Sequence, residues 1–103
     1  MGEWIHIADA GRVAEGDMMP VAARGKHLIL FRTAGGYFAT DRRCTHQQAD
    51  LLRGYFDDDV IECPVHQGRF NVCTGAALSA PASTPLRTYP VKILDNEVYI
   101  QIE

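Results

Sequence analysis

Two short motifs hold the residues best suited to inorganic chemistry: Cys44-Thr45-His46 and Cys63-Pro64-Val65-His66, with sixteen residues between His46 and Cys63. Thiolate sulfur and imidazole nitrogen are both metal donors, so matched Cys/His pairs read as two arms of one centre. Tetrahedral zinc is one reading, although zinc modules usually carry two cysteines on one arm. Here each arm carries one donor of each kind, and the first leaves a single residue between them. Residues i and i+2 of an extended segment point to the same side, so they reach two adjacent metal atoms as naturally as one. An iron–sulfur cluster with two irons meets that description. A Cys–His nucleophile is a third reading, but it gives the two motifs no common purpose.

Other chemistries find less support. His6, His27 and Cys73 lie outside the pattern. A non-haem oxygenase iron needs two further histidines and a carboxylate with open positions, and the two remaining histidines sit in apparent strands. C-x-x-C-H is absent, which excludes covalent haem. Neither G-x-G-x-x-G nor a Walker pattern is present, so flavin, nicotinamide and nucleotide sites are unsupported. Three cysteines make a poor disulfide framework. Cys73 reads as a small buried apolar residue. His6 and His27 read as hydrogen-bonded strand residues and Trp4 as core or core edge.

The elements that must position the motifs are short strands and turns. Runs at Trp4–Ile7, Met18–Ala22 (bent or ended at Pro20), Lys26–Arg32 and Tyr37–Thr40 read as strands, with a hairpin turn at Ala34-Gly35-Gly36. Val60–Glu62 and Phe70–Val72 flank the second motif. Leu86–Leu94 and Val98–Ile102 pair around Asp95-Asn96. Lys26–Arg32 is apolar enough to be central. No window shows convincing helical periodicity, and residues 47–54 hold at most one helical turn. The class is all-β, a sandwich or small barrel with both motifs on loops.

The chain has 103 residues, which fits one small domain. Ten basic and thirteen acidic residues give a net charge of −3, against a nucleic-acid binder or a polybasic membrane anchor. No apolar run approaches a bilayer span. The N-terminal residues show neither signal-peptide nor myristoylation features, so the expected compartment is the cytoplasm. Asp57-Asp58-Asp59 reads as a solvated turn.

Around its two motifs the chain resembles the Rieske [2Fe–2S] family. The pattern is C-T-H, the sixteen-residue gap, then C-P-x-H-x-G-x-F, continuing through Gly68, Arg69, Phe70, Thr74, Gly75 and the segment from Pro81 to Tyr89-Pro90. Cys63 to Gly75 (CPVHQGRFNVCTG) is similar to the small ferredoxins of naphthalene, biphenyl and carbazole dioxygenase systems. The resemblance implies an antiparallel β-sandwich with a cluster-binding subdomain of two loops, about residues 41–75, at one tip of a single domain spanning 1–103. It implies one [2Fe–2S] cluster per chain, with Cys44 and Cys63 on one iron and His46 and His66 on the other. It further implies a monomeric, non-catalytic one-electron carrier between an NAD(P)H-dependent ferredoxin reductase and the terminal oxygenase of an aromatic-ring dioxygenase. The small Rieske subunit of a nitrite reductase is the alternative within the family, and a zinc-stabilised module the alternative outside it.

Departures from the family pattern avoid the ligands. Gln47-Gln48 stand where many relatives have a glycine, Asn71 where aspartate is frequent, and Arg42-Arg43 add charge beside the first ligand. Respiratory-chain Rieske proteins carry an extra cysteine in each loop and Ser and Tyr hydroxyls near the cluster. The matching positions here are Ala49 and Val65, and Gly68 and Phe70. Hydroxyl donors stabilise the more negative reduced cluster, so their absence places the expected potential at the low end of the Rieske range, about −150 mV. Leu51, Leu52, Pro64 and Val65 are expected to keep water off the sulfurs and form an apolar docking rim.

Overall fold

The apolar run in Lys26–Thr33 has an immediate physical reason: both of its faces are covered. Leu28 and Leu30 enter one core and Ile29 and Phe31 another, all four fully buried. A one-sided strand would alternate apolar and polar residues, whereas this one is apolar at successive positions. The computed structural model describes residues 2–45, 49–65, 67–80 and 82–102. Its strands are β1 (Glu3–Asp9), β2 (Met18–Ala23), β3 (Lys26–Thr33), β4 (Gly36–Asp41), β5 (Tyr55–Asp57), β6 (Val60–Glu62), β7 (Arg69–Asn71), β8 (Ala77–Ser79), β9 (Thr88–Tyr89), β10 (Val91–Leu94) and β11 (Glu97–Ile102).

They form three antiparallel sheets, ordered β1-β11-β10, β2-β3-β4-β9 and β5-β6-β7-β8. The all-β expectation therefore holds. The second sheet supplies both cores. On one side its Leu28 and Leu30 join Val98, Ile100 and Ile102 of β11. On the other, Ile29 and Phe31 join Leu51, Ile61, Phe70 and Val72. β11 covers one core only, and its buried Val98, Ile100 and Ile102 alternate with half-buried Glu97, Tyr99 and Gln101.

Several local expectations need correction. β2 runs through Pro20, which lies on an edge strand where the missing N–H costs no ladder bond. Leu86–Leu94 is not one strand: β9 pairs with β4, β10 pairs with β11, and Pro90 separates them. Proline cannot donate to a ladder, so it marks the crossing from one sheet to the next. Asp95 and Asn96 both adopt positive φ, as a tight two-residue hairpin between β10 and β11 requires. Trp4 is 40% exposed, lying on the outer sheet face under the Lys92 ammonium, 4.5 Å from the ring centroid. Cys73 sits in the turn after β7 rather than in a strand, and it is half-buried. His6, as expected of a strand histidine, hydrogen-bonds a neighbouring strand residue, Glu97.

Candidate metal centre

The first loop leaves β4 at Asp41 and is pinned from several directions. Tyr89 donates its hydroxyl hydrogen to Asp41, tying the end of β4 to β9. Burial, then this bond, pushes the Tyr89 phenol well above its ordinary value. The next residue, Arg42, grips Asp50 with Nε and Nη2, each at 2.8 Å. Between the arms of that clamp, Cys44 N–H donates to the Ala49 carbonyl at 2.9 Å and Leu51 N–H to the Arg42 carbonyl at 2.8 Å. Asp50 Oδ1 also accepts from Leu52 N–H at 3.0 Å, starting the 3-10 turn Leu51–Arg53. The Arg42 guanidinium holds the Asp50 carboxyl down to about 2. Thr45 Oγ1 donates to the Thr84 carbonyl at 2.7 Å, bringing the 82–86 segment against the loop.

The second loop joins β6 to β7. Cys63 N–H closes it by donating to the Gly68 carbonyl at 2.7 Å, and Gln67 takes a positive φ within it. Gly54 explains how the two loops pack closely: a Cβ there would lie 2.1 Å from the Glu62 carbonyl oxygen. Gly75 plays a like part behind the site. It has φ +82°, and a Cβ would lie 2.3 Å from the Leu86 carbonyl oxygen.

These constraints place Cys44 and Cys63 together, both buried among Ile29, Phe31, Leu51, Ile61 and Phe70. Neither is joined in a disulfide among the described residues. Burial pushes the Cys63 thiol up, the Val65 backbone N–H opposes that by donating toward it, and the Cys44 side chain at hydrogen-bond range raises it further. An apolar pocket is a poor place for two bare thiolates and a good one for thiolates whose charge a metal compensates. A backbone N–H aimed at sulfur is likewise a donor that a metal-bound thiolate accepts. The donor chemistry therefore fits one iron of a two-iron cluster. His46 and His66, and Gln47-Gln48 beside the first, lie outside the described residues. Among the described residues no group of three or more His, Cys, Asp or Glu side chains is placed to hold a metal.

The expected apolar rim is only partly realised. Leu51 is fully buried and belongs to the core, Leu52 and Val65 are half-buried, and Pro64 is exposed. Phe70 is also fully buried in the core that holds the cysteines. The departure at Asn71 is now explained. Its Oδ1 accepts from Cys73 N–H at 2.8 Å and Thr74 N–H at 3.1 Å, a role that needs an acceptor and not a charge. Asp59 hydrogen-bonds Cys73, whose thiol is raised first by burial and then by that carboxylate. Sequence reasoning missed the Arg42–Asp50 clamp, because opposite charges eight residues apart signal nothing until the loop brings them together.

A family model described as Rieske [2Fe-2S] domain matches residues 3–90. The ferredoxin component of a naphthalene 1,2-dioxygenase system from Pseudomonas putida is 45% identical over 100 residues, covering 97% of this chain and 96% of that protein. Among solved structures, the Sphingomonas yanoikuyae B1 ferredoxin superposes with a TM-score of 0.91 at 36% identity, covering 98% of this chain and all of that one. A chain from a complex of reduced oxygenase and oxidized ferredoxin in carbazole 1,9a-dioxygenase superposes with a TM-score of 0.89 at 38% identity, covering 95% of this chain and 92% of that one.

Proposed function

This chain belongs to the Rieske [2Fe–2S] family, and from that premise we propose that it carries single electrons from an NAD(P)H-dependent ferredoxin reductase to the terminal oxygenase of an aromatic-ring dioxygenase system. Its cofactor is a Rieske-type [2Fe–2S] cluster, and it is an electron-transfer component rather than the catalyst of substrate oxidation. The observation carrying the reading is the buried Cys44–Cys63 pair at the base of two clamped loops, in a chain that matches free-standing ferredoxins nearly end to end.

In this reading Cys44 and Cys63 hold one iron, and His46 and His66 the other. The cluster supplies a one-electron couple when bound. The chain's own residues exclude water, fix the sulfur positions and aim the Val65 N–H at Cys63. The hydrogen bonds that pin both loops would limit the reorganisation that accompanies transfer. The proposal takes the chain as one monomeric domain over residues 1–103, its cluster-binding part about 41–75, acting in the cytoplasm. No helix among the described residues is long and apolar enough to cross a membrane.

Anaerobically purified protein is expected to contain iron and acid-labile sulfide in equal amounts. Its reduced form is expected to show the EPR spectrum of mixed histidine–thiolate ligation. Replacing His46 or His66 by Ala should abolish that spectrum, and its retention would refute their ligand role. Turnover of a reductase and oxygenase pair should depend on added protein; no stimulation would sink the carrier assignment while leaving the cluster intact.

A further inference from the structure

The two cysteine arms are closed in the same way. In the first, Cys44 N–H donates to the Ala49 carbonyl at 2.9 Å. The residue after that acceptor, Asp50, takes Arg42 Nε and Nη2 on its two oxygens, each at 2.8 Å. In the second, Cys63 N–H donates to the Gly68 carbonyl at 2.7 Å. The residue after that acceptor, Arg69, donates Nε to Glu62 Oε1 at 3.0 Å. Backbone pairing lies beside each: Asp50 bridges Arg43, and Glu62 faces Arg69 on the last rung of β6 and β7 before the loop. Each arm is thus a hairpin with an Arg–carboxylate pair across its base, just outside the cysteine. The order of charge is reversed, Arg before Asp in one arm and Glu before Arg in the other. Such a pair closes the arm without adding its own net charge beside the cysteine.

Ion pairs this exposed contribute little to global stability. Opening of one arm is a smaller event. It breaks only the pair and the few backbone bonds next to it, so the same small contribution is a large share of the local opening free energy. Cys44 is 4% exposed and Cys63 fully buried, so a chelator reaches metal bound to them through such an opening. We propose, on the reading of Cys44 and Cys63 as iron ligands, that Arg42–Asp50 and Glu62–Arg69 are positioning pairs that hold the two arms shut and so set how long the cluster is retained. The first pair is the stronger. It is bidentate with both partners about one-third exposed, whereas the second makes one bond from an Arg69 side chain that is 57% exposed.

The test follows bleaching of the visible absorption of the holoprotein in excess iron chelator. The EPR line shape of the reduced protein and native-state hydrogen exchange are measured on the same samples. Arg42 is varied because Asp50 also accepts from the Leu52 N–H. Arg42→Gln is expected to shorten the bleaching half-life about 5-fold, and Arg69→Gln about 2-fold. Arg42→Lys keeps the charge but not the fork, and should fall between wild type and Arg42→Gln. Lys92→Gln makes the same change of net charge on the outer sheet and should keep the wild-type half-life. The EPR lines of Arg42→Gln should broaden as its arm samples more positions, while β3 and β11 amides keep wild-type protection. Adding Asp50→Asn to Arg42→Gln removes the unpaired carboxylate but leaves the fork broken. The half-life should then stay short, while the midpoint potential, lowered in Arg42→Gln by the lone carboxylate, returns toward wild type. Equal half-lives for wild type and both Arg42 variants would overturn the proposal. So would equal shortening by Lys92→Gln, or loss of protection across β3 and β11, which would mean global destabilisation and not an opened arm. Recovery of the wild-type half-life in the double variant would overturn it too, assigning the effect to charge and not to closure. Wild-type protein that purifies without iron, or Cys63→Ser protein that keeps the wild-type spectrum, would instead remove the ligand reading itself.

Discussion

On one side of β3, Leu28 and Leu30 meet Val98, Ile100 and Ile102 of a six-residue strand. On the other, Ile29 and Phe31 meet Ile61 and Phe70, which belong to strands of three residues. Both cores use similar apolar residues, yet they are held differently. The first is closed by long ladders, with β1, β11, β2, β3 and β4 each spanning six to eight residues. The second is closed by loop bonds: the Arg42–Asp50 clamp, Cys44 to Ala49, Cys63 to Gly68, and the Asn71 turn. Strands of three residues give few cooperative bonds, so a layer built on them depends on cross-links. The two cysteines lie in that layer, and a centre joining them would tie its two loops together.

The sharpest way to break the comparison is to remove the cross-link. Cys63→Ser protein is expected to lose its iron and visible absorption. Hydrogen exchange should then lose protection in β5–β8 while β3 and β11 keep theirs, because metal binding and local folding are coupled. Uniform loss across both layers would show that the two cores are one cooperative unit. Next come paired cavity mutants. Ile100→Ala and Ile61→Ala should each cost about 2–5 kcal/mol in denaturant unfolding. Only Ile61→Ala should also shift the midpoint potential, since Ile100 lines the core remote from the cysteines; a shift with Ile100→Ala would mean that the layers communicate.

Phe70→Tyr sharpens the electronic side. A hydroxyl at this position should raise the potential above that of the wild-type protein. A differential hydrogen bond of about 1 kcal/mol corresponds to ~40 mV for one electron. Protein-film voltammetry showing no rise, or a wild-type value above about +100 mV, would contradict the hydroxyl argument. The smallest effect is expected at Asp50→Asn. The Asp50 pKa is depressed to about 2, so the ionised carboxylate contributes stability above the ordinary carboxylate range and loses it as pH falls toward 2. With both partners about one-third exposed, solvent screening reduces the contribution to about 1 kcal/mol. The deficit of Asp50→Asn should be full above pH ~4 and shrink toward pH 2; a constant deficit would assign its cost to something other than the carboxylate charge, since the Asn Oδ1 can still accept from the Leu52 N–H.

The candidate site was legible to very different degrees. Cys44 and Cys63 stood out because their spacing to histidines is itself chemical information, and the hairpin at Asp95-Asn96 because few residues accept its backbone. β5 and β8 were not legible: Tyr55-Phe56-Asp57 and Ala77-Leu78-Ser79 carry no alternation and become strands only by pairing with β6 and β7. Trp4 misled because aromatic area usually seeks a core, and here the ring stays on the outer face with the Lys92 ammonium over it.

What the residues determine alone is what depends on local order: strand period, turn chemistry, and the pairing of sulfur and nitrogen donors along each arm. What only the tertiary structure decided is which core each face of β3 enters, that Pro90 separates two sheets, that Leu51 is buried rather than on a rim, and that Arg42 and Asp50 meet across a loop. Those outcomes depend on which distant segments come to lie against one another. Sequence spacing does not report that, because contacts between remote residues are selected by the burial and hydrogen bonding of the whole chain at once.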